Sequence, residues 1–585
     1  MKNNKKNTKL QKLFNVIDYF KESALFLLLM STLVLIITNI LYAFKISINS
    51  LYLPFIYVIS IIIFTIYRKK ENIRKSTISI IIATIVFAGL IITAGKIYDI
   101  TADGNTYHKL AVGALKNGWN PLYESVGDYN KDKGNPFDIL DDNVNVKWVD
   151  HYARGTETFG AVVYAFTGNM ETSKVFNMLW VYIGFFILFM ILKQMKIAEW
   201  KSLLISAVMA FNPISMTHLT NLYLDGVLAI SLFMIILICA IQVKWEDKTN
   251  ERDNYLILAM AIIWCCNSKF TGLAFAAVFA GVLYLYRHIY NFIKNKKEFK
   301  KIFIKDSLFY IVTVLLAVLF VGNNTYTKNF IDYGHPFYPL YGKGHVQNMV
   351  NMEIPKSLSK ESHGMQFLIS IFSKGENVSP SYSDYVNNPN LKIPFTFTRS
   401  EIGNYNVPDI RVGGFGPLFS GIFILTIIGT IYVLIDLVRK KEYDKLILYG
   451  ILLLTTIILV LALDGSYWAR YIPYVYLLPV YVLIYLMKKN KKVFNIISLV
   501  VISVFALNSL LILASQAKNT YYNNKYINVH MEEFVNYAKS KKTVNIKLNH
   551  HGVQGIQYNL DDLNINNYVL SEDESLEKDG YLFKY

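Results

Sequence analysis

The side chains suited to chemistry lie in short polar groups between long apolar runs. The first is Asp99-Ile100-Thr101-Ala102-Asp103-Gly104-Asn105-Thr106-Tyr107-His108. A carboxylate such as Asp103 accepts a proton from an incoming hydroxyl or amine, which is general-base chemistry. The same Asp also suits the N-cap of the helical run behind it. Downstream come Trp119-Asn120-Pro121 and a stretch from His151 and Tyr152 to Glu157. Short groups around Asn221 to Asp225, Asn267 to Gly272 and Asp464 to Tyr471 follow. Lys269 and Arg470 are cations able to hold a phosphate or pyrophosphate through charge-assisted hydrogen bonds. Both also suit the anchoring role of long basic side chains at a membrane surface. Asp225, ahead of Gly226, fits a turn as well as a binding role. His108, His151, His335, His345 and His363 make no recognisable metal spacing, and a divalent ion stays open with no ligand set assigned. Cys239, Cys265 and Cys266 sit inside apolar runs and read as packing residues.

The elements around these groups follow from composition. Of 585 residues, 53% are hydrophobic and only 17% charged. Soluble domains average about 25% charged residues. Mean hydropathy is +0.32. Uncharged stretches recur near the ~20 residues that cross a bilayer as helix. The reading is an α-helical polytopic membrane protein. A net charge of +17 would suggest nucleic acid in a soluble chain, but these positives lie between apolar segments and set orientation.

Thirteen apolar runs are expected: near 23–44, 52–67, 77–97, 175–193, 202–218, 226–243, 254–267, 273–289, 305–323, 413–437, 446–463, 471–487 and 493–514. With the N-terminus cytoplasmic, every strongly basic connector falls on the cytoplasmic side, as the positive-inside rule requires. These include Arg68-Lys69-Lys70, Lys244 with Lys248, Arg287 through Lys305, and Lys488-Lys489. The opposite side receives two long loops, 99–157 and 324–412. Loops of that length are usually functional. Residues 1–514 form the membrane domain. Residues 515–585 are expected to form a small extracytoplasmic α/β unit, with strands near 544–548, 568–571 and 581–585.

Asp103 with Tyr107-His108, just after a span at the start of a large outer loop, resembles the C-type (GT-C) superfamily of membrane glycosyltransferases. More narrowly, it is similar to the bacterial branch of protein O-mannosyltransferases and aminoarabinose transferases. Trp119-Asn120-Pro121, His151-Tyr152 with Glu157, Lys269-Phe270-Thr271-Gly272 and Ala469-Arg470-Tyr471 with Pro473 resemble further elements of those enzymes. The likeness is spread over roughly 77–490 as short motifs. It implies transfer of a sugar from a polyprenyl-phosphate donor to a glycan, lipid or protein acceptor on the outer face of a plasma membrane. Asp103, His108 and Glu157 would be catalytic, and Tyr107, Asp225, Lys269, Arg470 and Tyr471 would bind substrate. The family's acidic pair is absent here, since Gly104 follows Asp103. Glu157 and Asp225 are the candidate partner carboxylates. No Gly-rich nucleotide loop precedes a cytoplasmic helix, which argues against a nucleotide-sugar donor. The other readings are a transporter or flippase of a lipid-linked saccharide, predicting paired charges deep in the spans, and a non-enzymatic envelope-assembly protein. Membrane lipid is a partner in each case; nucleic acid is not.

Overall fold

The computed structural model describes residues 2–69, 73–132, 144–243, 250–346, 350, 354–377, 388–547, 555–571 and 580–582. Lys70, Lys244, Lys248 and the expected strand residues 548 and 583–585 lie outside them.

The protein is a helical membrane protein. Among the described residues, nine helices are long and apolar enough to cross a membrane, from Val16–Ala43 to Lys492–Lys539. Two shorter apolar helices, Tyr52–Tyr67 and Pro473–Lys488, accompany them. Two of the expected runs come out differently. The run 202–218 is broken into Glu199–Ala210 and Pro213–Thr217, because Pro213 cannot continue the helical bonding and Asn212 caps the next turn through Ser215 N–H. The run 254–267 lies in the 18-residue helix Glu251–Ser268, which opens on Glu251 and Asp253.

Helix Asp225–Val243 is apolar all round and buried almost throughout. It packs on Val175–Gln194, Glu251–Ser268 and Phe270–Lys294. Gly272 permits the close approach of Phe270–Lys294 to Glu251–Ser268, since a Cβ there would collide with the Cys265 carbonyl. The peripheral helices Ile73–Gly95, Lys296–Val321 and Tyr443–Ala462 turn outward residues such as Ile85 (66% exposed), Leu308 (61%) and Leu454 (58%). Water-facing surfaces do not carry apolar patches of that extent; lipid does. All three cysteines are free and buried.

The two long loops fold over one end of this bundle. The first carries helices Lys109–Lys116, Val126–Asp132 and Val144–His151, and the second carries Lys328–Tyr333, His363–Ile371 and Arg399–Asn404. They are tied together by Asn329, whose Nδ2 donates to the carbonyls of His151 and Tyr338 at 2.9 and 2.8 Å.

The last helix, Lys492–Lys539, is 48 residues and so about 72 Å long, more than twice a ~30 Å hydrocarbon core. Beyond it a parallel three-stranded sheet sets Val544–Lys547 between Tyr568–Ser571 and Gly580–Leu582. Phe534, Ala538, Ile546, Ile556 and Leu560 form its core. Helix Ile556–Asp562 docks this unit on the first loop and on the helix Gly155–Thr167 that follows it: Tyr164 Oη donates to Asp562 Oδ1 at 2.7 Å, and buried Lys109 Nζ bonds Glu171 and Asn559 at 2.7 and 3.0 Å.

Candidate functional site

Two aspartates, Asp99 and Asp103, open the first loop and play opposite parts. Asp99 Oδ1 accepts from Thr101 N–H and Thr101 Oγ1, at 2.9 and 2.7 Å, while Oδ2 accepts from Leu222 N–H at 2.7 Å. That carboxylate straps the loop to the turn ahead of helix Asp225–Val243. Asp103 begins a wide helical turn, Gly104–His108, closed by Lys109 N–H on the Gly104 carbonyl, five residues back. Such turns recur at functional sites. The Asp103 side chain makes no capping bond, so the capping alternative fails. Its Oδ2 accepts from Tyr107 Oη at 3.2 Å and faces Arg470 Nη1 at 3.8 Å. Gly104 explains the missing acidic neighbour: a Cβ there would collide with Asp99 Oδ2 and Thr101 Oγ1. The space beside Asp103 already holds the Asp99 carboxylate.

The cations arrive from other elements. Lys269 is an extended residue between helices Glu251–Ser268 and Phe270–Lys294. Its ammonium pairs with Asp225 Oδ1 at 2.6 Å and lies 4.1 Å from the Tyr471 ring centre. Arg470 sits in the short turn Ala469–Tyr471, its guanidinium 4.3 Å from the Trp468 ring centre. Three carboxylates converge on it: Asp103 at 3.8 Å, Asp225 Oδ2 at 3.9 Å and Asp409 Oδ1 at 3.2 Å. The first two distances are too long for hydrogen bonds. The Asp409 contact is close but misaligned. Arg470 Nε and Asp409 Oδ1 are buried with no hydrogen-bond partner among the described residues. With all five groups ionised the cluster carries one net negative charge, the condition for taking up a proton. Burial pushes the Asp409 carboxyl up to about 6, against the pull of Arg470.

Asp103, Asp225, Lys269 and Arg470 line one cavity, with Tyr107, His108, Tyr152, Tyr223 and Tyr471 among its walls, and Asp409 stands outside it on the far side of Arg470. Of the residues singled out in sequence, Asp103, Tyr107, His108, Asp225, Lys269, Arg470 and Tyr471 meet there. Glu157 does not reach the wall. It stands behind His108, whose Nδ1 it engages at 2.6 Å while accepting from Thr156 Oγ1 at 2.9 Å. It orients the imidazole, leaving Nε2 as the ring nitrogen for another partner.

His151 and His363 have partners away from this cavity. His151 Nδ1 meets Asn329 Oδ1 at 2.9 Å, and burial drives its ring down to about 4, so it is neutral at pH 7. His363 joins Asp464 at 3.3 Å. Among the described residues no three His, Cys, Asp or Glu side chains are grouped to share a metal ion; the three aspartates close on a guanidinium instead. The donor set does not fit a divalent ion, and no step below uses one.

Asp409 was missed in the sequence. It lies in the aperiodic second loop, and nothing around Pro408-Asp409 marks it. The loop just ahead of it is fastened by Gln516 of the last helix, whose Nε2 donates to the carbonyls of Tyr405 and Val407 at 2.8 and 3.3 Å. Comparison with known proteins finds no matching family model, no matching curated protein and no matching solved structure.

Proposed function

We propose that this protein is a glycosyltransferase that moves a sugar from a polyprenyl-phosphate donor to an acceptor at the outer face of a cell membrane. The observation that carries this reading is the Asp103 carboxylate, released from capping and held beside Arg470 and Lys269 in a cavity at the loop-covered end of the bundle. A polyprenyl donor keeps its tail in lipid and its phosphate at headgroup depth, level with such a cavity. Arg470 and Lys269 would hold the phosphate. Asp103 would take the proton of the acceptor hydroxyl as its oxygen attacks the anomeric carbon, and polyprenyl phosphate would leave. His108, held by Glu157, and Tyr107 would position the acceptor.

In the accompanying topology the chain crosses the membrane thirteen times, the run 202–218 as the broken pair Glu199–Ala210 and Pro213–Thr217. The N-terminus is cytoplasmic, and the long loops and the C-terminal α/β unit are extracytoplasmic. The alternation of basic connectors supports it.

The test uses full-length protein in nanodiscs with radiolabelled polyprenyl-phosphate sugars, following donor binding and release of polyprenyl phosphate. Asp103→Asn should keep fold and donor binding while turnover falls about 100-fold or more. Binding with no turnover under any acceptor would favour a carrier. No binding of any such donor would end the transferase reading.

A further inference from the structure

A second cavity, of about 290 Å³, adjoins the first. The two share Tyr223, and Asp409, the partner of Arg470, stands on the second cavity's wall. Its chemistry differs from that of the first. Gln516, Asn519 and Asn523 come from the last helix and Asn377 and Asn406 from the second loop. The spacing of three and four puts the helical amides on one face. Asn523 Nδ2 donates to Asn519 Oδ1 at 2.9 Å and Asn519 Nδ2 to the Asn406 carbonyl at 3.0 Å, which fixes the wall. Two acceptor atoms on it, Asn377 Oδ1 and Asp409 Oδ1, are buried without a hydrogen-bond partner among the described residues. Leaving a buried acceptor unmet costs about 1–3 kcal/mol, and a hydroxyl donor brought to this wall would meet it.

Neutral amides both donate and accept, and so do hydroxyl groups. A phosphate-rich ligand would call for more cations than Arg411, the only one on this wall among the described residues. A peptide would call for apolar side-chain pockets, and here thirteen of the eighteen lining residues carry an amide, a hydroxyl or a carboxylate.

We infer that this amide-lined cavity binds a polyhydroxylated saccharide, which is the acceptor of the transferase and reaches the Asp103 cavity past Tyr223 and Asp409. The inference rests on the reading of the previous subsection. One acceptor hydroxyl oxygen bonds to the donor's anomeric carbon and the bond from that carbon to the phosphate oxygen breaks. Polyprenyl phosphate departs, and the hydroxyl proton passes to Asp103.

The experiment is calorimetric titration of the full-length protein in nanodiscs with neutral tetrasaccharides of glucose and of N-acetylglucosamine, beside a Ser/Thr-rich peptide and glycerol phosphate. A tetrasaccharide should bind. Asn519→Leu should weaken it at least about tenfold, the loss of roughly one good hydrogen bond, with the affinity for a polyprenyl-phosphate sugar unchanged. Asn377→Leu, on a separate element, should do the same, which guards against misfolding of either variant. Failure of both sugars to bind, binding untouched by both variants, or binding of the peptide or glycerol phosphate instead would overturn the proposal. Saccharide binding that both variants weaken, in a protein that binds no polyprenyl donor, would keep the cavity's ligand and remove the transferase reading. Donor turnover without saccharide binding would do the reverse.

Discussion

The two ends of the helix bundle use the same residue types to different effect. At the end away from the long loops, Arg68 meets Glu22 at 2.8 Å and grips Asp253 with two bonds of 2.9 and 3.0 Å, while Tyr67 Oη donates to Asp253 at 2.6 Å. Arg287 donates to Asp306 there at 2.6 Å, and Lys489 and Tyr485 both engage Asp436. These cations are matched at hydrogen-bond distance and lock helix ends together. At the loop-covered end Arg470 faces three carboxylates, none of them aligned as a hydrogen bond. A saturated charge cluster is a clamp, whereas a loosely paired one of net negative charge is ready for a ligand and a proton.

The contrast is broken most strongly by removing a clamp. Arg68→Ala leaves buried Glu22 with Lys75, at 3.6 Å, and takes a two-bond partner from half-buried Asp253; it should cost about 3 kcal/mol, read as a lowered melting temperature in detergent, with donor affinity of the surviving folded protein unchanged. A matching loss of donor binding would show that the two ends are not separate in function. Asp103→Asn should behave the opposite way, with melting unchanged and turnover down by the 100-fold given above, about 2.7 kcal/mol in the barrier. Arg470→Ala should weaken donor binding by about 2 kcal/mol, the value of a charge-assisted contact; an unchanged affinity would return Arg470 to an anchoring role. Gly104→Ala should cost about 1 kcal/mol or more through the forced shift of Asp99 and should reduce turnover as well, because the displaced strap carries Asp103.

The smallest effect concerns pH. Asp409 is raised to about 6 in the folded protein and would titrate near about 3.9 unfolded. Between those values the folded state holds a proton that the unfolded state has lost, so this group's contribution falls as pH rises from 4 to 6. Asp409→Asn should flatten that part of a melting-temperature profile. An identical profile in the variant would mean that Asp409 is not strained by burial.

Much of this was legible in the chain itself. Composition and the recurrence of apolar runs determined a helical membrane protein, since a bilayer imposes length and polarity directly on local sequence. The sidedness of the basic connectors singled out one end of the bundle. Seven of the eight residues chosen for chemistry lie on one cavity, because polar groups at span ends have few other places to go. Tertiary structure decided the rest. Asp99 and Asp103 are equivalent as letters, and only the Leu222 amide, over a hundred residues away, makes one a strap and leaves the other free. Glu157 looked like a partner for Asp103 but stands behind His108, since helix packing rather than spacing sets its direction. Asp409 had no local signal, as the backbone leading to it is held by Gln516 of the last helix. Local sequence records solvent and periodicity, whereas the pairing of a charge depends on which distant backbone groups reach it first.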